Sequence, residues 1–284
     1  MLVAMTRGVS SSIGACLLTH LTRQQIDIEK AVSQHRAYEE CLRQVGIHVI
    51  SLPVEPDMPD SVFIEDPAIV LDEVALIGRM GAVKRRSEAE SLKRVLSVIR
   101  PLKFMDPPAT LEGGDRVRIG RTLFVGVSCR TNLSGVEQLR KILDPYDYEV
   151  KPVKVSGCLH LTTGCSYLGD HTVIVNSDWI DAGVFKDFNI IHALPEEPWA
   201  ANTMTIGDGV ILVSASFPHT RALLEERGFT VKVANISELE KAEAGLTCMS
   251  LIFDCQESAL TNVYRTLSTA RRSPASHPAA KPQR

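Results

Sequence analysis

Residues 110–127 read TLEGGDRVRIGRTLFVGV, and this stretch decides the fold. Glu112 follows a leucine, and two short runs of strand-forming residues then flank a turn at Gly120. Two such runs around a glycine predict a β-hairpin. The same form, a polar residue followed by a hairpin, recurs in four other stretches. They are VFIEDPAIVLDEVALIGR (62–79), LHLTTGCSYLGDHTVIVN (159–176), ANTMTIGDGVILVSA (201–215) and LTCMSLIF (246–253).

The polar residues that lead the five hairpins are evenly spaced. They are Asp66, Glu112, His160, Asn202 and Cys248, at intervals of 46, 48, 42 and 46 residues. Spacing of this length is typical of propellers, solenoids and related arrays. The last stretch holds one strand only, and the N-terminal MLVAMTR is free to pair with it. That pairing would close a ring of five units.

Helix-like and strand-like segments lie between the hairpins. Apolar residues at helical spacing predict helices at 27–46, 86–99, 132–143 and 218–228, and a weaker one at 177–185. A serine is expected to cap the second helix, and glycines are expected to end the first and the fourth. Short strands are predicted at 48–54, 148–153, 189–194 and 229–235. The repeating unit is therefore hairpin, helix and strand, and the fold class is α/β.

A ring of such units would turn the same position of every unit toward one axis. The five leading residues would then meet there, although they are far apart in the sequence. A thiol, an imidazole, carboxylates and an amide together form a set suited to nucleophilic catalysis. Taken singly, each residue is more simply a cap of its own hairpin. That alternative does not explain why a cysteine, a histidine and acids occupy equivalent positions.

Composition excludes several classes of protein. The 284 residues carry a net charge of −3, so a nucleic acid is not expected as partner. The sequence contains no run of 18 apolar residues and no signal peptide pattern, so no membrane association is expected. Seven cysteines without CxxC spacing fit a reducing cytoplasm and predict no structural zinc site.

Residues 1–256 are predicted to form one domain. Residues 257–284 are predicted to be a largely disordered extension, with SALTNVYRTL (258–267) as a candidate short helix.

The segment PDSVFIED places three carboxylates close together, at Asp60, Glu65 and Asp66. Such a cluster near a nucleophile would repel the charge of a thiolate unless a cationic ligand enters, and a guanidinium matches carboxylates well. Arg85 and Arg130 follow the first two hairpins at matching places and could bind a carboxylate. A ligand that carries a guanidinium at one end and a carboxylate at the other is an arginine-like amino acid. The alternatives are solvated surface acids and arginines on helix surfaces.

These residues stand in motifs that resemble the dimethylarginine dimethylaminohydrolase family. The motifs are PDSVFIEDPA, GAVKRR, LEGGD, RTN, LHLTTG, DFNII, AAN and LTCMSLIF, in the order of that family. The resemblance covers residues 1–253. Within the family, the sequence is more similar to the short bacterial members than to the animal ones. The resemblance implies the pentein fold, a pseudo-fivefold α/β propeller around a central channel that holds the site. It also implies a homodimer.

The resemblance implies a role for each site residue. Cys248 resembles the nucleophile, His160 the general acid and base, and Glu112 the carboxylate that orients the histidine. Asp66 and Glu65 would hold the guanidinium.

The amino-acid end of the substrate is assigned by the same resemblance. Asp60 would position this end, and Arg85 and Arg130 would hold the α-carboxylate. Two further contacts come from backbone groups on either side of the site. They lie at Leu17 or Leu18 in the N-terminal loop and at Ala242 before the nucleophile.

The implied activity is hydrolysis of asymmetric dimethylarginine or monomethylarginine to citrulline and an amine, through a covalent S-alkylthiouronium on Cys248. No metal or organic cofactor is required. The alternatives are an arginine-type deiminase of the same fold and a catalytically weak pentein that acts as a binding protein. A cysteine peptidase is disfavoured, because the acid cluster has no role there. Residues 10–25, SSSIGACLLTHLTRQQ, are predicted to form a mobile lid.

Overall fold

The structure is a computed structural model that describes residues 1–207 and 209–270. Its strands form five three-stranded sheets, and each sheet has one antiparallel and one parallel pairing. This arrangement confirms the predicted fivefold repeat of a hairpin and a following strand. The strands are β1 (Leu2–Arg7), β2 (His48–Leu52), β3 (Ala68–Val70), β4 (Ala75–Ile77), β5 (Leu102–Phe104), β6 (Arg116–Ile119), β7 (Thr122–Val127), β8 (Glu149–Lys154), β9 (Cys165–Gly169), β10 (Thr172–Val175), β11 (Asn189–His192), β12 (Met204–Ile206), β13 (Val210–Ser214), β14 (Val231–Ala234) and β15 (Ser250–Asp254). In strand order the sheets are β15–β1–β2, β3–β4–β5, β6–β7–β8, β9–β10–β11 and β12–β13–β14.

The N-terminal strand closes the ring, as predicted. β1 pairs antiparallel with β15, in a register that sets Leu2 opposite Asp254 and Thr6 opposite Ser250. On its other edge β1 pairs in parallel with β2. Residues from the two ends of the sequence therefore share one sheet, and the strand that follows Cys248 is held by the first residues of the chain.

The helices are α1 (Ile28–Gln44), α2 (Ala89–Leu96), α3 (Leu133–Leu143), α4 (Leu161–Gly164), α5 (Pro218–Glu226), α6 (Ser237–Glu240) and α7 (Glu257–Ala270). Four helices, α1, α2, α3 and α5, each lie between a hairpin and the third strand of its sheet, whereas α4 and α6 precede β9 and β15 and α7 follows β15. Asp27 caps α1 by accepting a hydrogen bond from Lys30 N at 3.0 Å, and Gly46 follows its end with φ 81°. The described helices include none that is long and apolar enough to cross a membrane.

Two helix predictions needed correction. The serine cap expected for the second helix was wrong, because Ser87 lies inside a 3₁₀ helix, Val83–Glu88, that precedes α2. Glu88 stands at the N-cap of α2 but does not cap it, since its carboxylate binds Arg85 instead. The weaker prediction at 177–185 yields only a short 3₁₀ turn, Ala182–Phe185.

The candidate helix in the C-terminal extension is confirmed as part of α7. Leu260 and Val263 are buried in the same apolar cluster as Leu92 and Val95 of α2. The packed chain therefore extends beyond the predicted boundary at residue 256. The rest of the predicted disordered extension, residues 271–284, lies outside the described residues.

Buried apolar side chains form five clusters distributed among the units rather than one central core. Charged side chains in the segments that lead into the hairpins are also buried: Asp66 is 3% exposed, Glu112 0% and His160 1%. Ionisable groups are rarely buried so fully unless they are paired or functional. The leading residues of the repeat therefore mark the candidate site.

Candidate active site

Two consecutive glycines allow three repeats to meet. A Cβ on Gly113 would lie 2.1 Å from the carbonyl oxygen of Glu65. A Cβ on Gly114 would lie 2.7 Å from His160 Nδ1 and 2.9 Å from Asp66 Oδ1. Any side chain at either position would collide with the site. The glycines of the LEGGD motif therefore let the first three leading residues come together.

Cys248 lies in a single 3₁₀ turn, Thr247–Met249, directly before β15. The backbone N–H of Glu65 donates to the carbonyl oxygen of Cys248 at 3.2 Å, which ties the nucleophile segment to the acid cluster. The N–H of Gly245 donates to Cys248 Sγ at 3.4 Å. The thiol is therefore oriented by the backbone before its own strand, rather than packed as a side chain of that strand.

Asn202, the fourth leading residue, fixes the elements beside Cys248. Its Nδ2 donates to the carbonyl oxygen of Thr162 at 2.8 Å and to Thr247 Oγ1 at 3.1 Å. A Cβ on Gly245 would lie 2.2 Å from Asn202 Oδ1, so the amide fits only against a glycine. The amide thus joins the third, fourth and fifth repeats. All five leading residues converge, as the repeat spacing predicted.

His160 lies between two carboxylates. Its Nε2 is 2.8 Å from Glu112 Oε2, and its Nδ1 is 3.7 Å from Asp66 Oδ1. Burial disfavours the charged imidazolium, but Asp66 and the hydrogen bond to Glu112 outweigh burial and raise the pKa of His160. Burial is likewise outweighed at Glu112, where His160 lowers the pKa of the carboxyl. At neutral pH the pair is therefore an imidazolium bound to a carboxylate, with Nδ1 turned toward Asp66.

The site is short of positive charge where the thiol lies. Burial, followed by the nearby Glu65 and Asp66, raises the pKa of Cys248 well above that of a free cysteine. Burial also raises the pKa of Glu65 to about 7, although Arg116 opposes this shift. Asp66 Oδ1 is buried and accepts no hydrogen bond. A cation that entered here would supply this missing partner and lower the pKa of the thiol.

The two arginines predicted to bind a carboxylate differ in how they are engaged. Arg85 donates from Nε and Nη2 to both oxygens of Glu88, at 3.0 and 2.9 Å, and from Nη1 to Asp66 Oδ2 at 2.7 Å. Arg130 donates from Nη2 to Thr19 Oγ1 at 3.0 Å, and its buried Nη1 makes no hydrogen bond. Nη1 of Arg130 lies 3.6 Å from Glu112 Oε1, an ion pair longer than a hydrogen bond. Arg130 can therefore turn to a ligand more easily than Arg85, which is hydrogen-bonded to two carboxylates.

The remaining predicted contacts surround the same space. The Leu17 N–H donates to both carboxylate oxygens of Asp60, at 3.1 and 3.2 Å, which brings the predicted lid over the acid cluster. Leu18 follows directly and packs against an apolar cluster that includes Cys248. Ala242 is buried between α6 and the Cys248 turn, and its N–H donates to the Leu239 carbonyl oxygen at 2.9 Å.

A comparison with protein families assigns the chain. Residues 18–197 match the model of the eukaryotic N,N-dimethylarginine dimethylhydrolase family. This chain belongs to the dimethylarginine dimethylaminohydrolase family. The resemblance inferred from the motifs is thereby confirmed.

Individual proteins of the family agree with this assignment. The N(G),N(G)-dimethylarginine dimethylaminohydrolase of Pseudomonas aeruginosa is 35% identical over 229 residues, which cover 80% of this chain and 90% of that protein. The protein of the same name from Streptomyces coelicolor is 36% identical over 250 residues, which cover 87% and 95%. A solved structure of the Pseudomonas enzyme, a cysteine-to-serine variant complexed with citrulline, superposes with a TM-score of 0.84 at 32% identity. The match covers 88% of this chain and 98% of that one, which confirms the pentein propeller.

Three residues of this dimethylarginine dimethylaminohydrolase family site were not predicted. Glu88 neutralises Arg85, and Asp115 accepts from the Leu161 N–H at 2.9 Å and so positions the segment after His160. Thr247 donates from Oγ1 to Glu65 Oε2 at 2.8 Å. The sequence held a signal for each: the i, i+3 spacing of Arg85 and Glu88, the last residue of LEGGD, and the neighbour of Cys248.

Proposed function

We propose that this protein hydrolyses Nω-methylated arginines to citrulline and methylamine or dimethylamine. The observation that carries the proposal is the buried thiol of Cys248 beside the acids Glu65 and Asp66, with an oxygen of Asp66 that accepts no hydrogen bond. A planar guanidinium supplies donors for both carboxylates. The names of the bacterial relatives and the citrulline bound to the Pseudomonas enzyme support the same substrate class.

The substrate is proposed to extend from the acid pair Glu65 and Asp66, at its guanidinium end, to Arg130 and Asp60, at its amino-acid end. Its guanidinium donates to Asp66 and Glu65, and its α-carboxylate accepts from Nη1 of Arg130, which makes no hydrogen bond in the structure. Arg85 is already hydrogen-bonded to Glu88 and Asp66, so we assign it first to the acid cluster. At the amino end, the ammonium group contacts Asp60, a backbone carbonyl of Leu17 or Leu18, and the backbone of Ala242.

The reaction follows from these charges. The bound guanidinium offsets Glu65 and Asp66, so Cys248 loses its proton to solvent and attacks the central guanidino carbon as a thiolate. Imidazolium His160 donates a proton from Nδ1 to the departing amine, and the carbon–nitrogen bond breaks. A covalent S-alkylthiouronium remains. Neutral His160 then takes a proton from water as that water attacks the same carbon, the carbon–sulfur bond breaks, and citrulline leaves.

Residues that would bind a metal are used otherwise in this mechanism. Asp66, Glu112 and His160 offer ligand atoms that lie within 4.8 Å of one another. His160 Nε2 and Glu112 are, however, hydrogen-bonded to each other. The imidazolium form of His160, which donates the proton, has no lone pair with which to bind a metal ion. The proposed reaction is therefore assigned to these side chains without a metal or an organic cofactor.

A direct assay tests the proposal. Purified full-length protein is incubated separately with asymmetric dimethylarginine, monomethylarginine and arginine, and citrulline is measured. Citrulline is expected from the methylated substrates. Citrulline mainly from arginine would show a deiminase instead, and folded protein that yields none from any substrate would leave only the binding role.

Different defects are expected when each arginine is replaced by methionine. Arg130→Met should raise KM for asymmetric dimethylarginine about tenfold to a hundredfold with little change in kcat, because hydrogen bonds to a charged partner are worth about 1.5–3 kcal/mol. Arg85→Met should lower the free energy of unfolding by about 3–5 kcal/mol, because buried Glu88 and Asp66 lose their counter-charge. Steady-state kinetics and urea unfolding distinguish the two. Arg86→Met serves as control, and a mainly kcat defect in Arg130→Met would contradict its assignment.

The charge of an alkylating reagent should control the reactivity of Cys248. The amidinium reagent 2-chloroacetamidine should modify Cys248 faster than neutral iodoacetamide does, because only the cation offsets Glu65 and Asp66. We expect the ratio of the two rates to exceed that at exposed Cys129 at least about tenfold, the effect of one pKa unit. The advantage should fall as the pH drops through about 7, where Glu65 gains a proton. Site-resolved mass spectrometry measures both sites in one sample, and equal ratios would contradict the electrostatic argument.

A further inference from the structure

One carboxylate holds the tip of the N-terminal loop, which we define as residues 17–21. Both oxygens of Glu243 accept from the Thr19 N–H at 2.9 Å, and Oε1 also accepts from the Leu21 N–H at 2.5 Å and from the His20 N–H. Successive N–H groups that converge in this way form a nest, which favours an anion. The single side chain of Glu243 therefore satisfies three consecutive amides of the loop tip.

Glu243 belongs to the segment that leads to the nucleophile. It directly follows Ala242 and precedes Cys248 by five residues, whereas the loop tip is more than 220 residues away in the sequence. Its φ of 60° is in the left-handed region, which a residue other than glycine adopts at a cost of about 1–2 kcal/mol. Strain of this kind persists where surrounding contacts impose it, and it is often found at functional positions.

Apart from the apolar packing of Leu18, the loop tip makes two further hydrogen-bonding contacts, and both use residues that the substrate needs. The Leu17 N–H occupies the carboxylate of Asp60, and Thr19 Oγ1 accepts from Arg130. When the ammonium and carboxylate groups of a substrate bind Asp60 and Arg130, they compete with these contacts. The carboxylate of Glu243 is not assigned to the substrate, so its contacts with the loop tip can persist in the complex.

We propose that Glu243 is a positioning residue that keeps the loop closed over the bound amino-acid substrate. This rests on the proposed function for the identity of the ligand, but not for the contact itself. Closure in this arrangement depends on the nucleophile segment, so the loop closes against the same backbone that presents Cys248. If the loop is closed for only a fraction of the time, the apparent affinity of the site for its ligand is reduced by that fraction.

Amide hydrogen exchange of the full-length protein tests the contact without any assay of activity. In Glu243→Ala, exchange at Thr19, His20 and Leu21 should become at least about tenfold faster, because each lost bond is to a charged acceptor. Glu243→Gln should give an intermediate rate, since the amide keeps one acceptor oxygen. Glu240→Gln is the matched control: its carboxylate accepts from Ser214 and Ser216 and does not contact the loop tip. Unchanged exchange at the three amides in Glu243→Ala would overturn the proposal.

Kinetics then separate positioning from a general structural role. With asymmetric dimethylarginine, Glu243→Ala should raise KM about tenfold while kcat changes by less than about threefold, and Glu243→Gln should recover part of the loss. Trypsin should cleave after exposed Arg23 faster in Glu243→Ala, and citrulline should no longer slow that cleavage. If the parent protein shows no turnover while exchange is faster in Glu243→Ala, the proposed function is wrong but the contact between Glu243 and the loop tip is supported. An unchanged KM together with faster exchange would overturn the positioning role.

Discussion

Cys248→Ser is expected to lower kcat for asymmetric dimethylarginine by a factor on the order of 10⁴ or more, the scale seen when an enzyme loses its nucleophile. A serine hydroxyl has nearly the size of the thiol but remains protonated, because the surrounding acids disfavour any anion there. The guanidinium pocket of Glu65 and Asp66 stays intact in this variant. Substrate should therefore bind with a dissociation constant similar to the KM of the parent protein, as measured by isothermal titration calorimetry.

The control for this substitution is Cys129→Ser, since Cys129 is exposed. That variant should keep the kcat of the parent protein. Turnover that persists in Cys248→Ser would remove Cys248 from the role of nucleophile. Loss of both turnover and binding, in a variant that unfolds at the same urea concentration as the parent, would show that the thiol itself binds the substrate.

His160→Gln is expected to lower kcat for asymmetric dimethylarginine about 10²- to 10⁴-fold, the usual contribution of a general acid or base. The glutamine cannot protonate the departing amine. With S-methyl-L-thiocitrulline the leaving group is methanethiol, which needs less help from an acid. Attack by Cys248 should then continue, while hydrolysis of the covalent product slows because no base activates the water. Intact-protein mass spectrometry should detect an adduct on Cys248 that accumulates.

A control substitution distinguishes a catalytic role of His160 from a role in folding. His219→Gln changes an exposed histidine outside the site and should behave as the parent protein does. If His160→Gln hydrolyses S-methyl-L-thiocitrulline without an accumulated adduct, His160 does not act in the second step. If attack on this analogue also stops, the imidazolium is needed to stabilise the thiolate as well as to protonate the amine.

Much of the fold followed from residue patterns that are local. The runs in residues 110–127 specify a hairpin through strand propensity and the turn at Gly120, which do not depend on distant contacts. The nearly constant spacing of the leading residues then placed Glu112, His160 and Cys248 at equivalent positions of the repeat. The serine cap of α2 was wrong because a tertiary contact, from Arg85 to Glu88, decided the start of that helix.

The sequence by itself determined the five units, the closure of the ring by β1 and the identity of the converging residues, because period and residue type are properties of the chain. Only the tertiary structure decided how the charges pair across units. Arg85 and Arg130 look equivalent in the sequence, yet Arg85 is hydrogen-bonded to Glu88 and Asp66, whereas Nη1 of Arg130 has only a longer ion pair, with Glu112. Glu243 carries no motif at all. Its role depends on a meeting of loops more than 220 residues apart, and hydrogen bonding is decided by distances of a few tenths of an ångström that no spacing in a sequence records.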